Sequence, residues 1–242
     1  METTEDWQGI KEILVILAHP DDPEFFLGGT IARWVAERHT VRYVLLTKGE
    51  KGAVDQSISP GELSVLRVQE QNDAANVLGV KSVEFLDYFD GEILPDLEMR
   101  QQIVRAIRKY RPNILVTCDP GLLFPRIDSI NHPDHRYTGL VVLDAVFPAA
   151  GNRLYFPQLL EEGLLPHEVD EVWLSLTGRP NVLLDVTKYW QKKISALRCH
   201  KSQIVDLDRF EQKRIEKLNL APKQPFKVEE KFHRINFRRS PQ

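Results

Sequence analysis

The chain has 242 residues, of which 42% are hydrophobic and 28% are charged, and its formal net charge is -3. This size allows one domain with a full core, or one domain with a small appendage. The weak negative charge gives no electrostatic reason to expect nucleic acid or a membrane as a partner. The sequence has neither a signal peptide nor an apolar run of about 20 residues, and its two cysteines form no CxxC pair, so we expect a cytoplasmic protein.

Short apolar runs alternate with helical patterns along the first 150 residues. Strands are predicted over residues 12–19, 41–50, 82–88 and 113–120, and helices over 29–39, 59–80, 94–112 and 132–147. Strands that are buried on both faces and joined by helices are typical of a parallel α/β sheet. We therefore predict a Rossmann-like, doubly wound, mostly parallel sheet over about residues 10–150.

The remaining residues, 151–242, are predicted to complete a single domain that spans 1–242. The predicted elements there are strands over 169–176 and 181–186 and a helix over 187–203. Residues 149–166 are interpreted as a connection or a flap. The final twenty residues, 223–242, are locally basic and are interpreted as a solvated tail or a subunit contact.

Two clusters of histidine and aspartate follow the first and fourth predicted strands. The first strand ends in "AHPDD" (18–22), and the fourth ends in "TCDP" (117–120), which leads to "NHPDHR" (131–136). In a doubly wound sheet, ligands bind at the carboxyl ends of the strands where the strand order reverses, usually between the first and fourth strands. Either motif alone is explained by helix capping, but together they predict a site in one crevice.

The two clusters supply imidazole and carboxylate groups only, which suit zinc or another borderline divalent cation. Their members are His19, Asp21, Asp22, His132, Asp134 and His135. A catalytic zinc has three protein ligands and one position for water. Two histidines and one carboxylate meet that need and leave an acid free as a base, but the spacing does not distinguish Asp21 from Asp22. His200 and His233 are secondary candidates for the site, whereas His39 and His167 are expected on the surface or in loops.

The motifs "AHPDDPEFFLGGTIARW" and "NHPDHR" resemble the two signatures of the LmbE-like, or PIG-L, N-acetylglucosamine deacetylases. "LTKGEKG", "RVQEQNDAANVLGV" and "ALRCHKSQ" are also similar to this family. The resemblance, over most of residues 12–203, implies a zinc-dependent hydrolase with a Rossmann-like fold that is often a trimer or hexamer.

The same resemblance assigns roles to the residues of the two motifs. It implies zinc ligands at His19, Asp22 and His135, and a general base at Asp21. It also implies that His132 is the second catalytic group and that Asp134 orients it. Some members have an oxyanion-stabilising tyrosine two residues before His132, where this chain has Ile130. Zinc and a protonated His132 must then suffice for the oxyanion, or another donor serves.

The predicted function is removal of the N-acetyl group from a soluble N-acetylglucosamine-containing compound. The candidate substrate-binding residues lie in strand-end loops or nearby helices: Lys48, Glu50, Arg67 and Asp119, with Arg126 and Asp128 also at the rim. The alternatives are a metal-dependent amidase that acts on another amino-sugar conjugate and a sugar-binding protein that holds metal without turnover. The expected partners are this small molecule and further copies of the chain.

Overall fold

A seven-stranded sheet forms the centre of the computed structural model, which describes residues 1–53, 57–204, 206, 208–209, 211–212, 216 and 227–238. The strands are β1 (Glu12–Leu17), β2 (Thr40–Thr47), β3 (Ser82–Tyr88), β4 (Ile114–Cys118), β5 (Glu171–Ser175), β6 (Val182–Asp185) and β7 (Glu229–Asn236). Their order across the sheet is β3-β2-β1-β4-β5-β7-β6. Among the described residues, β7 runs antiparallel to β5 and β6 and the other neighbouring strands pair in parallel, so the predicted mostly parallel sheet is confirmed.

Helices cover both faces of this sheet, as expected for a doubly wound fold. They are α1 (Asp22–Ala36), α2 (Pro60–Leu78), α3 (Leu97–Tyr110), α4 (Pro133–Asp144), α5 (Gln158–Glu161) and α6 (Trp190–Leu197). Because side chains alternate along a strand, Ile13, Val15 and Leu17 of β1 join the core with α1, α2 and α6. Leu14 and Ile16 join a second core with α3 and α4 on the other face.

The predicted start of α1 at residue 29 is wrong, because the helix begins at Asp22. Pro23 lies in the first turn, where its fixed φ and missing N–H are tolerated. The helix deviates at Leu27, whose φ is -145°, and this break separates the first turns from the regular part that the sequence pattern indicates. The second acid of "HPDD" therefore lies in the first turn of a helix and not in a free loop.

The described part of the C-terminal segment is not a solvated tail, because β7 is inserted between β5 and β6. Phe232 of β7 is fully buried. Glu230 also points inward, and its carboxylate accepts hydrogen bonds from the Gly29 and Thr30 amides of α1 and from Lys193. This buried acid interrupts the apolar alternation that would have indicated a strand. Residues 223–226 and 239–242 of the predicted tail lie outside the described part of the chain.

Residues 149–166 form a connection at the amino-terminal edge of the sheet, away from the two motifs. The side chain of Arg108, near the end of α3, donates hydrogen bonds to the carbonyls of Ala149, Ala150, Asn152 and Tyr155. This anchoring gives no support to a flap over the site. Within the described ranges, no helix combines the length and apolar character that crossing a membrane requires.

Gly139 allows α4 to pack directly on the end of β4. A Cβ added at Gly139 would lie 2.3 Å from the Cys118 carbonyl oxygen and 3.1 Å from its carbonyl carbon. Both are backbone atoms, so the clash cannot be relieved by rotation of a side chain. The close contact fixes the position of the helix that carries the second motif.

Gly139→Ala should therefore lower the free energy of unfolding by about 1–3 kcal/mol, as overpacking does elsewhere, measured by urea denaturation. Gly61→Ala is the matched control, since no heavy atom lies within 4 Å of its added Cβ. It should leave the free energy of unfolding unchanged or raise it by up to about 1 kcal/mol, because alanine favours a helix more than glycine does. Equal losses in the two variants would show that the contact with Cys118 does not matter.

Candidate active site

The two motifs meet because β1 and β4 are direct neighbours, with Ile13 opposite Ile114 and Val15 opposite Val116. His19 and Asp22 follow β1. His135 lies in the first turn of α4, which follows the loop after β4. The predicted crevice at the carboxyl ends of strands 1 and 4 therefore contains both clusters.

His19, Asp22 and His135 form a group that could hold a metal ion. One ligand atom from each residue lies within 4.8 Å of those of the other two. Asp22 Oδ1 lies 3.1 Å from His135 Nε2, and Asp22 Oδ2 lies 3.5 Å from His19 Nδ1. Two imidazoles and one carboxylate fit a borderline divalent cation such as zinc.

Asp22 is held in place before any ligand binds. Its Oδ2 accepts a hydrogen bond from the His19 backbone amide at 2.9 Å, and the side chain is almost fully buried. Burial alone would raise the pKa of Asp22, but His135 and His19 outweigh it and lower the pKa well below the usual range. The carboxylate is therefore ionised and is shared between the two histidines.

Asp21 has a different environment from its neighbour. Its amide donates to Gln71 Oε1 at 2.8 Å, and its carboxylate accepts from Arg67 Nη2 at 3.2 Å. Burial, reinforced by the charge of Asp22 and opposed by Arg67, raises the pKa of Asp21 to about 7. The adjacent acids thus differ in kind, since Asp22 contacts the histidines and Asp21 contacts Arg67.

His132 is the N-cap of α4, and its Nδ1 accepts the Asp134 amide at 3.2 Å. Asp134 thus contacts His132 through its backbone. Its carboxylate Oδ2 lies 3.2 Å from His19 Nε2 and accepts from the Gly91 amide. Asp134 Oδ1 is buried without a partner among the described residues. Burial and the nearby His19 lower the pKa of His132, which favours the neutral ring. In a neutral ring the proton is on Nε2, because Nδ1 accepts the Asp134 amide.

Asp90 is a member of the site that the sequence analysis missed. Its Oδ1 lies 3.1 Å from His19 Nε2, and its Oδ2 accepts from the Lys51 amide. Burial would lower the pKa of His19, but the hydrogen bonds from its ring to the carboxylates of Asp134, Asp22 and Asp90 outweigh it and raise that pKa. Its position in the sequence could have indicated Asp90, because it comes just after β3, at the same edge of the sheet as the two motifs.

Arg67 and Glu50 support the loops around the site from within. Arg67 is buried and donates to the carbonyls of Gly49 and Pro20 at 2.7 Å each. Glu50 Oε1 accepts from the Asp90 amide at 2.8 Å. These contacts fix the backbone beside Asp21 and Asp90.

The other candidate rim residues fall into two groups. Asp119 is buried and accepts hydrogen bonds from the Gly121 amide and the Thr177 hydroxyl. Lys48 pairs with Asp87 at 2.5 Å on the surface.

Arg126 and Asp128 are exposed in the loop before the second motif. That loop also exposes four large apolar side chains, which are Leu123, Phe124, Ile127 and Ile130.

The remaining histidines lie outside the metal-binding group. His39, His167 and His233 each bond to a backbone group elsewhere, at Lys11, Pro112 and Arg179 respectively. His200 is fully buried and lies 3.1 Å from a carboxylate oxygen of Glu24, which is itself fully buried. Glu24 was not predicted as part of the site, because it precedes residue 29, where the sequence pattern places the start of the helix.

The model of the PIG-L family, described as GlcNAc-PI de-N-acetylase, matches residues 14–146. A diacetylchitobiose deacetylase from Thermococcus kodakarensis is 37% identical over 199 residues, which cover 82% of this chain and 72% of that protein. The chain therefore belongs to the PIG-L, or LmbE-like, family, and the resemblance found in the sequence is confirmed.

Solved structures show the same fold. The N,N'-diacetylchitobiose deacetylase from Pyrococcus horikoshii, in complex with its inhibitor MPG, matches with a TM-score of 0.83 and 31% identity, over 93% of this chain and 84% of that chain. GalB, a 4-carboxy-2-hydroxymuconate hydratase from Pseudomonas putida KT2440, matches with a TM-score of 0.76 at 21% identity, over 96% and 99% of the chains. The likeness to GalB concerns the fold alone, so the activity has to be argued from the site.

Proposed function

We propose that the protein is a zinc-dependent N-deacetylase that hydrolyses the acetamido group of an N-acetylglucosamine-containing compound and releases acetate. This proposal rests on the convergence of His19, Asp22 and His135, with Asp21 and His132 beside them. The related proteins that are named as diacetylchitobiose deacetylases support it.

The residues divide into metal-holding and proton-moving groups. His19, Asp22 and His135 would hold the zinc, which polarises the acetyl carbonyl and makes a bound water more acidic. Asp21 would take the proton of the attacking water, because its carboxylate is not held by the histidines. Arg67 would keep that carboxylate in place through the hydrogen bond that its Nη2 donates.

His132 would stabilise the oxyanion as a neutral donor through Nε2–H. Its Nδ1 already accepts the Asp134 amide, and a protonated ring would set two N–H donors against each other there. This differs from the imidazolium that the sequence analysis expected. Ile130 is exposed and supplies no donor, so His132 is the protein's own oxyanion contact in this proposal.

We also propose a cytoplasmic homo-oligomer. Both cysteines, Cys118 and Cys199, are free, which suits a reducing compartment. The exposed apolar side chains of Leu123, Phe124 and Ile127 would be covered in a contact between copies, since contiguous exposed apolar patches mark interaction sites.

Substitutions at the two adjacent acids should separate metal binding from catalysis. Asp22→Ala should lose most of the zinc that remains after dialysis, measured by elemental analysis. Asp21→Asn should retain the zinc and lower kcat for acetate release by about 10²–10⁴, the usual contribution of a general base. Asp73→Asn makes the same chemical change at an exposed position and should alter neither quantity. Loss of zinc from Asp21→Asn with full retention in Asp22→Ala would reverse the two roles.

A substrate panel tests the proposed activity itself. Acetate release should be measured with diacetylchitobiose, free N-acetylglucosamine, other N-acetylglucosamine glycosides and a simple N-acetylated amine. We expect kcat/KM to be at least about tenfold higher for a compound with a second unit on the anomeric carbon, because remote contacts contribute to transition-state binding. Equal hydrolysis of the simple amine would indicate a general amidase. Sugar binding without acetate release by the zinc-loaded protein would indicate a binding protein.

A further inference from the structure

Asp21 has a backbone conformation that needs support from its surroundings. Its φ is 82° and its ψ is -28°, in the left-handed region that residues with a Cβ disfavour. Such a conformation persists only when neighbouring groups hold it. The Asp21 carbonyl accepts from the Phe25 amide within α1, and the Asp21 amide donates to Gln71 Oε1 of α2. The contact with Gln71 thus fixes the amide side of the residue.

Gln71 can hold the Asp21 amide in only one of its two amide orientations. Its side chain is fully buried, and Nε2 donates to both oxygens of Glu24, at 3.2 and 3.1 Å. The backbone amide of Asp21 can donate a hydrogen bond but cannot accept one, so it needs the oxygen of Gln71. The NH2 group of Gln71 must therefore face Glu24, which leaves its oxygen facing Asp21.

Glu24 is in turn held by donors from two other elements. The hydroxyl of Tyr43 in β2 lies 3.3 Å from one carboxylate oxygen, and Nε2 of His200 lies 3.1 Å from the other. Glu24 and His200 are both fully buried, and a buried carboxylate is tolerated when such donors satisfy it. Asp21 thus donates to Gln71, and Gln71 donates to Glu24. Glu24 also accepts from His200 at the other end, so the chain of hydrogen bonds between Asp21 and His200 has a fixed order of donors and acceptors.

We propose that His200, Glu24 and Gln71 are positioning residues that fix the backbone of Asp21 and aim its carboxylate into the site, without contact with substrate or metal. This inference rests on the proposed role of Asp21 as the base. It assigns a purpose to the "CHKSQ" segment and to Glu24 of the first motif. The direction of the hydrogen bonds, more than the packing, is what the catalytic site requires.

An exchange of the two central side chains tests the direction of the bonds. In Glu24→Gln, the new amide would keep its oxygen on His200 and set its NH2 against the NH2 of Gln71. A flip of Gln71 that relieves this contact would present NH2 to the Asp21 amide. In Gln71→Glu, two carboxylates would face each other. Each single variant should retain zinc and lower kcat by about 10- to 100-fold, as small misplacements of catalytic groups do.

The double variant Glu24→Gln/Gln71→Glu should restore the direction of the bonds. The amide at position 24 can donate to the carboxylate at position 71, whose second oxygen accepts the Asp21 amide. We expect kcat to return to within about threefold of the unmodified protein, while KM changes little in all three variants. A double variant that folds and binds zinc but stays as slow as the single variants would overturn the proposal.

Hydrogen exchange of the Asp21 amide, followed by NMR, gives a measurement that does not depend on activity. Exchange should be slow in the unmodified protein, faster in both single variants and slow again in the double variant. Single variants that keep both kcat and slow exchange would also contradict the proposal. Absence of deacetylase activity in the unmodified protein, with this exchange pattern intact, would refute the proposed function and not the hydrogen-bond chain.

Glu70→Gln is the matched control for a structural effect. Glu70 is the buried neighbour of Gln71 on α2, and it accepts hydrogen bonds from the amide and hydroxyl of Ser202, at 2.8 and 2.6 Å. It ties α2 to the turn after His200 but does not contact Asp21. This variant is expected to lower the melting temperature while kcat and the Asp21 exchange stay unchanged. A fall in kcat equal to that of Glu24→Gln would mean that any damage to this region slows catalysis, which would overturn the positioning role.

Discussion

The carboxylate of Asp22 lies between His19 and His135, with one oxygen directed at each ring. Asp21 and Asp22 are like-charged acids side by side at the end of β1. The contacts of Asp22 with the two histidines stabilise its ionised form, which burial opposes. Its partners come from parts of the chain more than a hundred residues apart, and the pairing of β1 with β4 brings them together. The remaining features of the site support this arrangement.

Support comes from both faces of the sheet. On one side, α2 contributes Arg67 and Gln71, whose polar groups hold the backbone of Pro20 and Asp21. On the other side, α4 begins at the site because Gly139 lets it lie against the end of β4. Buried polar groups that are hydrogen-bonded hold a single geometry, and the proposed site, with a base beside three metal ligands, needs such rigidity.

The position of the site was predictable because it follows from general rules of topology. Two polar clusters after the first and fourth strands of a parallel sheet have to meet at the crevice where the strand order reverses. The start of α1 was not predictable in the same way, because Pro23 and the break at Leu27 hide the first turns of the helix. Strand β7 was hidden because Glu230 points inward to satisfy the amides of α1 and Lys193.

The contacts behind and beside the motifs were missed for a different reason. Glu24 and His200 are 176 positions apart and carry no local pattern, so their pairing is visible only in three dimensions. Asp90 is a single acid in a short loop, and its contact with His19 depends on where β3 ends. Arg67 and Asp119, which the sequence offered as substrate contacts, also bond to protein groups, and these bonds were not predictable from the sequence. Sequence thus indicates where chemistry is concentrated, whereas the supporting contacts depend on packing.

The most direct test of this account is a crystal structure of the protein grown with zinc, with anomalous diffraction recorded on both sides of the zinc absorption edge. The account predicts one strong peak bonded to His19, Asp22 and His135, with Asp21 and His132 beside it and outside bonding distance. A peak bonded to Asp21 in place of Asp22, or a crevice without any peak while zinc binds elsewhere, would contradict it.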